Sequence, residues 1–403
     1  MIYQKFSKRQ LLAATWWNRP AFRDREAIIC DGAVRSGKTI CMADGFFLWA
    51  MCSFDQQVFG LCGRTVESLR RNIVIHLQNW LGGTGMVISE KRNENKLVVT
   101  YKDRTNTFYL FGGKDESSYT LVQGITLAGA LMDEVALMPR SFVEQVCARC
   151  SVAGSKMWFN CNPHSPEHWF YKEWIMKCKA KNALHIHFTM ADNLSLAPEI
   201  RQRYERLYAG VFYRRYILGE WCAAEGLVYD FTDGSITDER PAGFEYYISV
   251  DYGTLNPFSA GLWSVAGDKA VRIKEFYYDG RNKKRQLTDE EYCNEVIALA
   301  EGYAISKVIV DPSAASFITA LKRRGMRVQQ ANNSVLDGIR RTAVYLRDGN
   351  IKIHRSCIDA IREFGLYRWD EKSGVDRVIK ENDHAMDDIR YFCNTIMLRK
   401  ARG

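Results

Sequence analysis

The first half of the chain alternates short apolar runs with amphipathic stretches. Five apolar runs predict buried strands, at residues 27–30, 57–62, 129–132, 156–160 and 184–188. Two β runs around a polar turn, 97–101 and 107–111, predict a hairpin. Apolar residues at helical spacing predict helices at 40–49, 67–80 and 198–218. This alternation is typical of an α/β domain with a mostly parallel sheet.

The pattern breaks into turns over residues 219–243 and then restarts. Strands are predicted at 246–251, 260–265, 271–278, 307–310, 327–330 and 351–354. Helices are predicted at 289–303, 313–324, 335–347, 357–364 and 384–398. We therefore expect two α/β domains, residues 1–222 and 244–403, joined by a linker at 223–243.

Composition narrows the class of protein without deciding it. The 403 residues are 47% apolar, which is enough for real cores, and no stretch has the apolar length of a membrane span. The N-terminus lacks a secretory pattern and the 12 scattered cysteines indicate reduced thiols, so we expect a cytosolic protein that is not secreted. The net charge of +9 is compatible with a polyanionic partner but does not require one.

One motif carries specific chemistry, and it lies between a predicted strand and a predicted helix. It is the run Gly32-Ala33-Val34-Arg35-Ser36-Gly37-Lys38-Thr39, which fits the G-x-x-x-x-G-K-[ST] phosphate-binding loop. Glycines allow the tight turn that points backbone N–H groups at phosphate oxygens. Lys38 would reach the β- and γ-phosphates and Thr39 would offer its hydroxyl to Mg²⁺. The motif predicts binding of ATP or GTP.

A second acidic strand end should complete a nucleotide-hydrolysing site. Asp133 and Glu134 follow the apolar run 129–132, so Asp133 could hold the Mg²⁺ shell and Glu134 could polarise the attacking water. Asn160 ends the next predicted strand and could sense the γ-phosphate, although Asn-Pro sequences are usually just turns.

Three further residues are candidates for the same reaction. Arg35, inside the phosphate loop, could stabilise transition-state charge from the same subunit, and Arg149 could do so from a neighbouring subunit. Gln10, in an amphipathic N-terminal segment, could contact adenine; an ordinary exposed helix glutamine is the alternative.

The second half places carboxylates at two strand ends and at the start of the last helix. These acids and their neighbouring histidine are Asp251, Asp311, Asp383, His384, Asp387 and Asp388. Aspartates brought together by a fold repel one another, and divalent ions relieve that repulsion, so the set predicts a Mg²⁺ or Mn²⁺ site. Two ions could clamp the attacking and leaving oxygens of a phosphodiester. Any one acid could instead be a surface or capping residue, Asp383 in particular.

A zinc site is the weaker interpretation of another cluster. Cys147, Cys150, Cys161 and His164 have the spacing of two ligand pairs. We disfavour zinc, because Cys147 and Cys150 fall in a predicted helix and Cys161 lies within the candidate Asn160 segment.

Taken in order, these motifs resemble the large subunit of tailed-phage terminases, the motor-nuclease that packages viral DNA. The resemblance covers nearly the whole chain. Its carriers are the phosphate loop with Arg35, Asp133-Glu134, residues 160–163 with His168-Trp169, residues 216–221, Val310-Asp311-Pro312 and residues 383–391.

The resemblance implies an additional-strand P-loop ATPase domain followed by an RNase H-like nuclease domain. Lys38, Thr39, Asp133 and Glu134 match the family's ATPase motifs. Asp251, Asp311 and Asp387 match its nuclease acids, with either Asp383 or Asp388 able to share the ion.

The implied cofactors are ATP, Mg²⁺ for the ATPase, and Mg²⁺ or Mn²⁺ for the nuclease, with two ions. The implied partners are double-stranded DNA, a small terminase subunit, the portal protein of the procapsid, and further copies in a ring, a pentamer when docked. No membrane is implied. The implied location is the host cytoplasm, with transient docking at the portal vertex.

Two other functions fit the motifs. One is a helicase-like P-loop translocase whose RNase H-like half only binds DNA, so that substituting Asp251 or Asp311 would leave activity intact. The other is a nucleotide-switched binding protein with little turnover. The acids at Asp251, Asp311 and Asp387 argue against both.

Overall fold

The computed structural model describes residues 5–253, 256–371 and 376–398, and it divides into two compact units. The first unit takes the described residues up to Glu205 together with Tyr213–Ala223. The second unit takes Arg206–Phe212 and the described residues from Ala224 onward.

The first unit is built on an eight-stranded sheet. Its strands are β1 Ala27–Gly32, β2 Val58–Gly63, β3 Val87–Lys91, β4 Lys96–Tyr101, β5 Arg104–Gly112, β6 Gly129–Met132, β7 Lys156–Cys161 and β8 Ala183–Phe188. The order is β3-β4-β5-β2-β6-β7-β1-β8, parallel from β5 to β8, with the antiparallel β3 and β4 at one edge. Strand β7 lies between β1 and β6, which is the inserted strand expected of the additional-strand ATPase fold.

Helices cover both faces of this sheet. They are α1 Lys8–Thr15, α2 Lys38–Ser53, α3 Val66–Leu69, α4 Ile75–Trp80, α5 Arg140–Arg149 and α6 Pro198–Arg206. A π-helical turn at Arg70–Val74 joins α3 to α4, so the predicted helix at 67–80 is one element with an irregular middle. Every residue of β1 is buried, and the carboxyl end of this strand leads directly into the phosphate loop.

The sequence missed one element of this region and joined others that are separate. Strand β3 was not predicted, because this half-exposed edge strand has the sequence VISEK and lacks an apolar run. The predicted helix at 198–218 is broken: α6 ends at Arg206, α7 covers Gly210–Tyr213, and a π-helical turn follows at Arg214–Leu218. Gly210 has φ +54°, a left-handed conformation that interrupts a right-handed helix.

The second unit is built on a seven-stranded sheet. Its strands are β9 Ile236–Thr237, β10 Glu245–Asp251, β11 Phe258–Ala266, β12 Lys269–Tyr278, β13 Ile305–Val310, β14 Val328–Gln330 and β15 Ile351–His354. The order is β14-β13-β10-β11-β12-β15-β9. Strands β10, β11 and β12 form an antiparallel meander, and β13 and β14 add to β10 in parallel. This is the RNase H-like arrangement that the resemblance implied, so the expected fold class is confirmed for both units.

Five helices pack on this sheet. They are α8 Asp289–Ala300, α9 Ala315–Arg323, α10 Val335–Arg347, α11 Ile358–Phe364 and α12 His384–Phe392, the last continued by a π-helical turn at Cys393–Met397. Eight of the nine residues of α12 are buried, including three charged ones, so this helix runs through the interior of the unit. In the part of the chain that the structure describes, no helix has the length and apolar character needed to cross a membrane.

Candidate functional site

Two glycines determine the backbone conformation of the phosphate loop. Gly32 has φ +125°, and a Cβ there would overlap the carbonyl oxygen of Phe188 on β8. Gly37 has φ +82° and stands at the N-cap of α2, so the helix begins with its first N–H groups facing the loop. Only glycine meets both requirements without strain, which is why the loop forms here.

Lys38 is folded over the loop and almost completely buried. Its Nζ donates to the carbonyl oxygens of Gly32 (3.0 Å) and Ala33 (2.8 Å), and to Asn162 Oδ1 (3.2 Å). Burial lowers the pKa of Lys38, against the attraction of nearby acidic groups. The ammonium group thus lies within the loop, and Asn162 is a contact that the motif alone did not reveal.

Asp133 stands opposite the start of α2. Its carboxylate lies 3.3 Å from the Thr39 hydroxyl, and it accepts hydrogen bonds from Asn160 Nδ2 (2.8 Å) and Asn72 Nδ2 (3.3 Å). Burial raises the pKa of Asp133, against these hydrogen bonds. A hydroxyl and a buried carboxylate that lacks full charge compensation form a donor set that fits Mg²⁺. Asn72 was not predicted, because nothing in its helical segment marks it.

Glu134 occupies an unusual backbone conformation directly after Asp133. Its φ is +57°, which is uncommon for a residue with a Cβ, and its N–H donates to Asn160 Oδ1 at 3.1 Å. Burial and the neighbouring Asp133 charge raise the pKa of Glu134. Asn160 therefore fixes both acids at once, and a carboxylate of raised pKa is suited to act as a general base.

Arg35 is exposed and held by helix α6. It too has a positive φ, +57°; its Nε donates to the Tyr204 hydroxyl at 2.6 Å, and its guanidinium lies over the Tyr204 ring at 5.1 Å. Asn193 Nδ2 donates to the Arg35 carbonyl oxygen at 2.7 Å. Neither Tyr204 nor Asn193 was predicted, because both lie more than 150 residues from Arg35 in the chain.

Gln10, in helix α1, also contacts the phosphate loop. The residue is fully buried, so the alternative of an exposed helix glutamine is wrong. Its Nε2 donates to the Ser36 carbonyl oxygen at 3.0 Å and its Oε1 accepts from Ser7 N–H. Contact with adenine stays a prediction. Arg149 is half-exposed at the end of α5, and its role toward a neighbouring subunit also stays a prediction.

A buried carboxylate beneath the loop was missed by the sequence analysis. Asp31, the residue before Gly32, accepts hydrogen bonds from His185 Nε2 (2.8 Å), His187 Nδ1 (3.1 Å) and Trp221 Nε1 (2.6 Å). Burial opposes ionisation, but the two histidine hydrogen bonds outweigh it, so the pKa of Asp31 lies well below its usual range. Asp31 therefore ties β1 and β8 to the segment that ends the first unit.

In the second unit, Asp251 and His384 form a hydrogen-bonded pair. Asp251 ends β10, and its Oδ2 lies 2.9 Å from His384 Nδ1 at the start of α12. The Tyr391 hydroxyl donates to the other oxygen at 3.4 Å. Burial raises the pKa of Asp251 to about 7, against the His384 hydrogen bond and helped by the charge of Asp387. A carboxylate that needs positive charge fits a divalent ion.

Two cations already engage the acids of α12. Lys380 Nζ lies 3.3 Å from Asp383 and 3.4 Å from Asp387, and Arg390 Nη2 lies 2.9 Å from Asp387. Asp251, Asp383, His384 and Asp387 line one cavity of about 540 Å³. The structure thus brings four of the predicted residues to a single cavity in the second unit.

Asp311 approaches this group through Tyr391. It follows β13, accepts from Ser313 N–H (2.7 Å) and Asn333 Nδ2 (3.3 Å), and shares the single proton of the Tyr391 hydroxyl with Asp251. Partial burial would raise its pKa, but these hydrogen bonds lower it overall. Asp311 is not part of the cavity wall, so Tyr391 is the side chain that joins Asp311 to Asp251.

Asp388 is placed differently from the other acids. It is fully buried and pairs with Arg272, which is also fully buried; Arg272 Nη2 lies 3.1 Å from Asp388 Oδ2. Ser249 and Ser259 donate to the same carboxylate. The carboxylate oxygens of Asp388 accept hydrogen bonds within the core. We therefore interpret Asp388 as the anchor of α12 and not as a group that faces the cavity.

The predicted metal ligands are not arranged as a complete ion-binding site in the residues that the structure describes. Across residues 5–253, 256–371 and 376–398, no group of three or more His, Cys, Asp or Glu side chains is arranged to hold a metal ion. For the acids of the second unit, Lys380 and Arg390 take up carboxylate oxygens that an ion would share. For Cys147, Cys150 and Cys161, burial raises the pKa of each thiol.

The fold and these sites define a P-loop ATPase joined in one chain to an RNase H-like unit that carries a carboxylate cluster. The family model described as the terminase large subunit, T4likevirus-type, N-terminal, matches residues 29–236. The large terminase of a thermophilic bacteriophage is 49% identical, with a TM-score of 0.83, and the match covers 98% of this chain and all of that one. The chain belongs to the terminase large-subunit family.

Nucleotide complexes of that thermophilic phage protein are similar as well. Its complex with ADP is 48% identical with a TM-score of 0.80, covering 97% of this chain and 100% of that one. A curated relative, the large terminase subunit of Escherichia phage T5, is 22% identical over 226 residues. That match spans 52% of this chain and about half, 51%, of the T5 protein.

Proposed function

We propose that this protein is a viral DNA-packaging motor, in which ATP hydrolysis drives double-stranded DNA into a procapsid and a metal-dependent nuclease cuts concatemeric DNA. The observation that carries the proposal is the pairing, in one chain, of the Lys38–Asp133–Glu134 site with the Asp251–Asp387 cavity. The domains would be the ATPase at 1–222, the linker at 223–243 and the nuclease at 244–403.

In the ATPase half, the residues divide the work of phosphoryl transfer. The loop N–H groups and Lys38 bind the phosphates, and Thr39 and Asp133 would hold Mg²⁺, which neutralises charge on the β- and γ-phosphates. Glu134 accepts a proton from the attacking water, and Asn160 keeps Glu134 oriented. Arg35 stabilises the charge that develops on the transferred group. The ADP-bound relative from the thermophilic phage supports ATP as the nucleotide.

In the nuclease half, Asp251, Asp311 and Asp387, with Asp383 and His384 beside them, would hold two Mg²⁺ or Mn²⁺ ions. Such ions supply charge stabilisation for the attacking and leaving oxygens of a phosphodiester. Tyr391 orients Asp251 and Asp311 relative to each other, while Arg390 orients Asp387. Lys380 would leave the carboxylates, or turn toward the DNA phosphate, when an ion is present.

The partners follow from the family and from the charge. Backbone contacts to DNA agree with the net charge of +9. A small terminase subunit would choose the sequence, the portal protein would receive the motor, and a homo-oligomeric ring, a pentamer, would form on docking. The protein would act in the host cytoplasm and transiently at the portal vertex.

The test uses supercoiled plasmid and purified full-length protein in Mn²⁺, beside Asp311→Ala and a chelated control. Cleavage by the wild type and none by the variant supports the nuclease assignment. Glu134→Gln is the matched ATPase control, which should lose hydrolysis and keep cleavage. A folded, ATP-hydrolysing wild type that never cuts DNA would favour the translocase whose second half only binds DNA.

A further inference from the structure

One strongly basic segment of the second unit is not explained by the residues discussed above. Residues 279–287, with the sequence DGRNKKRQL, connect β12 to α8, and we call this segment the basic loop. It holds four cations, Arg281, Lys283, Lys284 and Arg285, against one acid, and Arg285 pairs with Glu291 at the start of α8. Residues 281–286 are all exposed.

The basic loop shares a wall with the carboxylate cavity. Asp279, Arg281 and Asn282 line the same cavity of about 540 Å³ as Asp251 and Asp387. Arg281 is fixed there by a hydrogen bond from its Nη2 to Asn256 Oδ1 at 3.2 Å. A row of cations therefore begins at the rim of an acidic cavity and continues outward along the turn.

The turn is well braced despite its exposure. Asp279 accepts from the Asn282 N–H (3.0 Å) and Nδ2 (2.6 Å), so the one acid is used inside the turn. The Tyr278 hydroxyl donates to the Arg285 carbonyl oxygen at 2.9 Å, and Lys283 Nζ lies 4.6 Å from the centre of the Tyr278 ring. The loop thus presents Lys283 and Lys284 on a folded support rather than on a loose chain.

We infer that the basic loop binds the phosphate backbone of duplex DNA next to the bond that the carboxylate cavity cuts. The inference rests on the proposed nuclease function. The acids of the cavity repel a polyanion, and a cationic rim offsets that repulsion where the backbone enters. Lysine and arginine contacts to phosphate position a duplex without reading its sequence, in agreement with a separate subunit that chooses the sequence.

The test compares full-length wild type with the double variant Lys283→Gln/Lys284→Gln. The matched control is Lys322→Gln/Arg323→Gln, two exposed cations at the end of α9 in the same unit. Binding to a fluorescent duplex is measured by anisotropy without nucleotide and in EDTA, across a series of salt concentrations. Each phosphate contact contributes about 0.9 to the slope of log K against log salt, so the loop variant should lose about 1.8. The control should keep the wild-type slope.

Cleavage in Mn²⁺ gives the second measurement. The loop variant should need roughly tenfold more DNA for half-maximal cleavage at about 0.1 M salt. It should keep the wild-type rate at saturation and the wild-type ATPase rate, because the lysines position DNA and do not touch the reacting atoms.

An unchanged binding slope in the loop variant overturns the inference, and would instead fit a loop that contacts an acidic protein surface. A reduced slope together with a wild type that never cuts DNA supports the basic loop as a DNA contact and contradicts the proposed nuclease. The two failures are therefore distinguishable.

Discussion

Arg35 in the phosphate loop and Tyr204 in helix α6 are joined by two contacts, a hydrogen bond of 2.6 Å from Arg35 Nε to the tyrosine hydroxyl and a cation–π approach of 5.1 Å. Arg35 is exposed and carries a positive φ, so its side chain points away from the packed part of the loop. Tyr204 therefore determines the position of the Arg35 guanidinium group.

Substitution of Tyr204 should slow ATP hydrolysis without weakening nucleotide binding. We expect Tyr204→Ala to lower kcat about tenfold with KM within about twofold, because the proposed role of Arg35 in stabilising transition-state charge needs a fixed guanidinium, while the phosphate loop is unchanged. Tyr204→Phe keeps the ring and should lose less. Steady-state ATPase kinetics check both variants.

The control for Tyr204 is Arg201→Ala on the same helix, because the Arg201 side chain pairs with Glu205 and not with the phosphate loop. It should keep the wild-type kcat. If Tyr204→Ala leaves kcat unchanged, or if Arg201→Ala loses as much, Tyr204 has no positioning role.

The Asp31 carboxylate should stabilise the first unit in a pH-dependent way. Asp31→Asn replaces an acceptor of three hydrogen bonds by an amide that faces donors, which should lower the free energy of unfolding by about 2 kcal/mol at pH 7. The pKa of Asp31 is lower in the folded chain than in the unfolded one. Its contribution is therefore fully present above about pH 4 and is lost as the pH falls through the folded pKa.

Urea denaturation of wild type and Asp31→Asn at pH 7 and pH 3 measures this effect. The difference between the two proteins should shrink at the lower pH. Asp24→Asn, with a side chain that is 92% exposed, is the control and should be neutral. A difference that stays constant or grows toward acid pH would contradict the assignment.

Lys380 should compete with metal ions for the acids of α12. Its Nζ lies within 3.4 Å of both Asp383 and Asp387, where its charge stands in for a cation. We expect Lys380→Met to lower the Mn²⁺ concentration for half-maximal cleavage by roughly threefold, because an ion would no longer displace the ammonium group. Lys269→Met, an exposed substitution on β12, is the control. A higher Mn²⁺ requirement would show that Lys380 assists metal binding.

The residues predicted best from the sequence are those whose role depends on their immediate neighbours in the chain. Gly32 to Thr39 form a contiguous motif, and their loop conformation follows from two glycines and the start of a helix. The acids at 133, 251 and 311 were located because each lies at the end of an apolar run that predicts a strand. The alternation of strands and helices predicts the α/β class, whereas the RNase H-like fold of the second unit came from the family resemblance.

The supporting contacts could not be predicted, because they join distant segments through ordinary residues. Asn72 reaches Asp133 from a helix, and Trp221 reaches Asp31 across 190 positions. Asp388 belongs to the same short acidic run as Asp387, and only the turn of α12 separates their environments. One residue of helix rotation, about 100°, sends Asp387 to the cavity and Asp388 to the buried Arg272.

This difference leads to opposite expectations for two adjacent aspartates. Asp388→Asn leaves the buried Arg272 without its full counter-charge, so the free energy of unfolding of the second unit should fall by about 3–5 kcal/mol. Asp387→Asn also weakens a buried pair, with Arg390, but Asp387 borders the cavity, so it should cost less stability than Asp388→Asn and should abolish cleavage in Mn²⁺. Urea denaturation, fitted with two transitions for the two compact units, and plasmid cleavage measure both.

The double variant Arg272→Met/Asp388→Leu separates a structural ion pair from a metal ligand. Replacing both charges by apolar groups removes the unpaired charge, so it should recover much of the stability that Asp388→Asn loses, and cleavage should return with the fold. If the double variant is as stable as the wild type and still cannot cut DNA, Asp388 acts on the metal and not only through Arg272. Recovery of both stability and DNA cleavage would show that Asp388 serves only to anchor α12, and that this anchoring places Asp387 and His384.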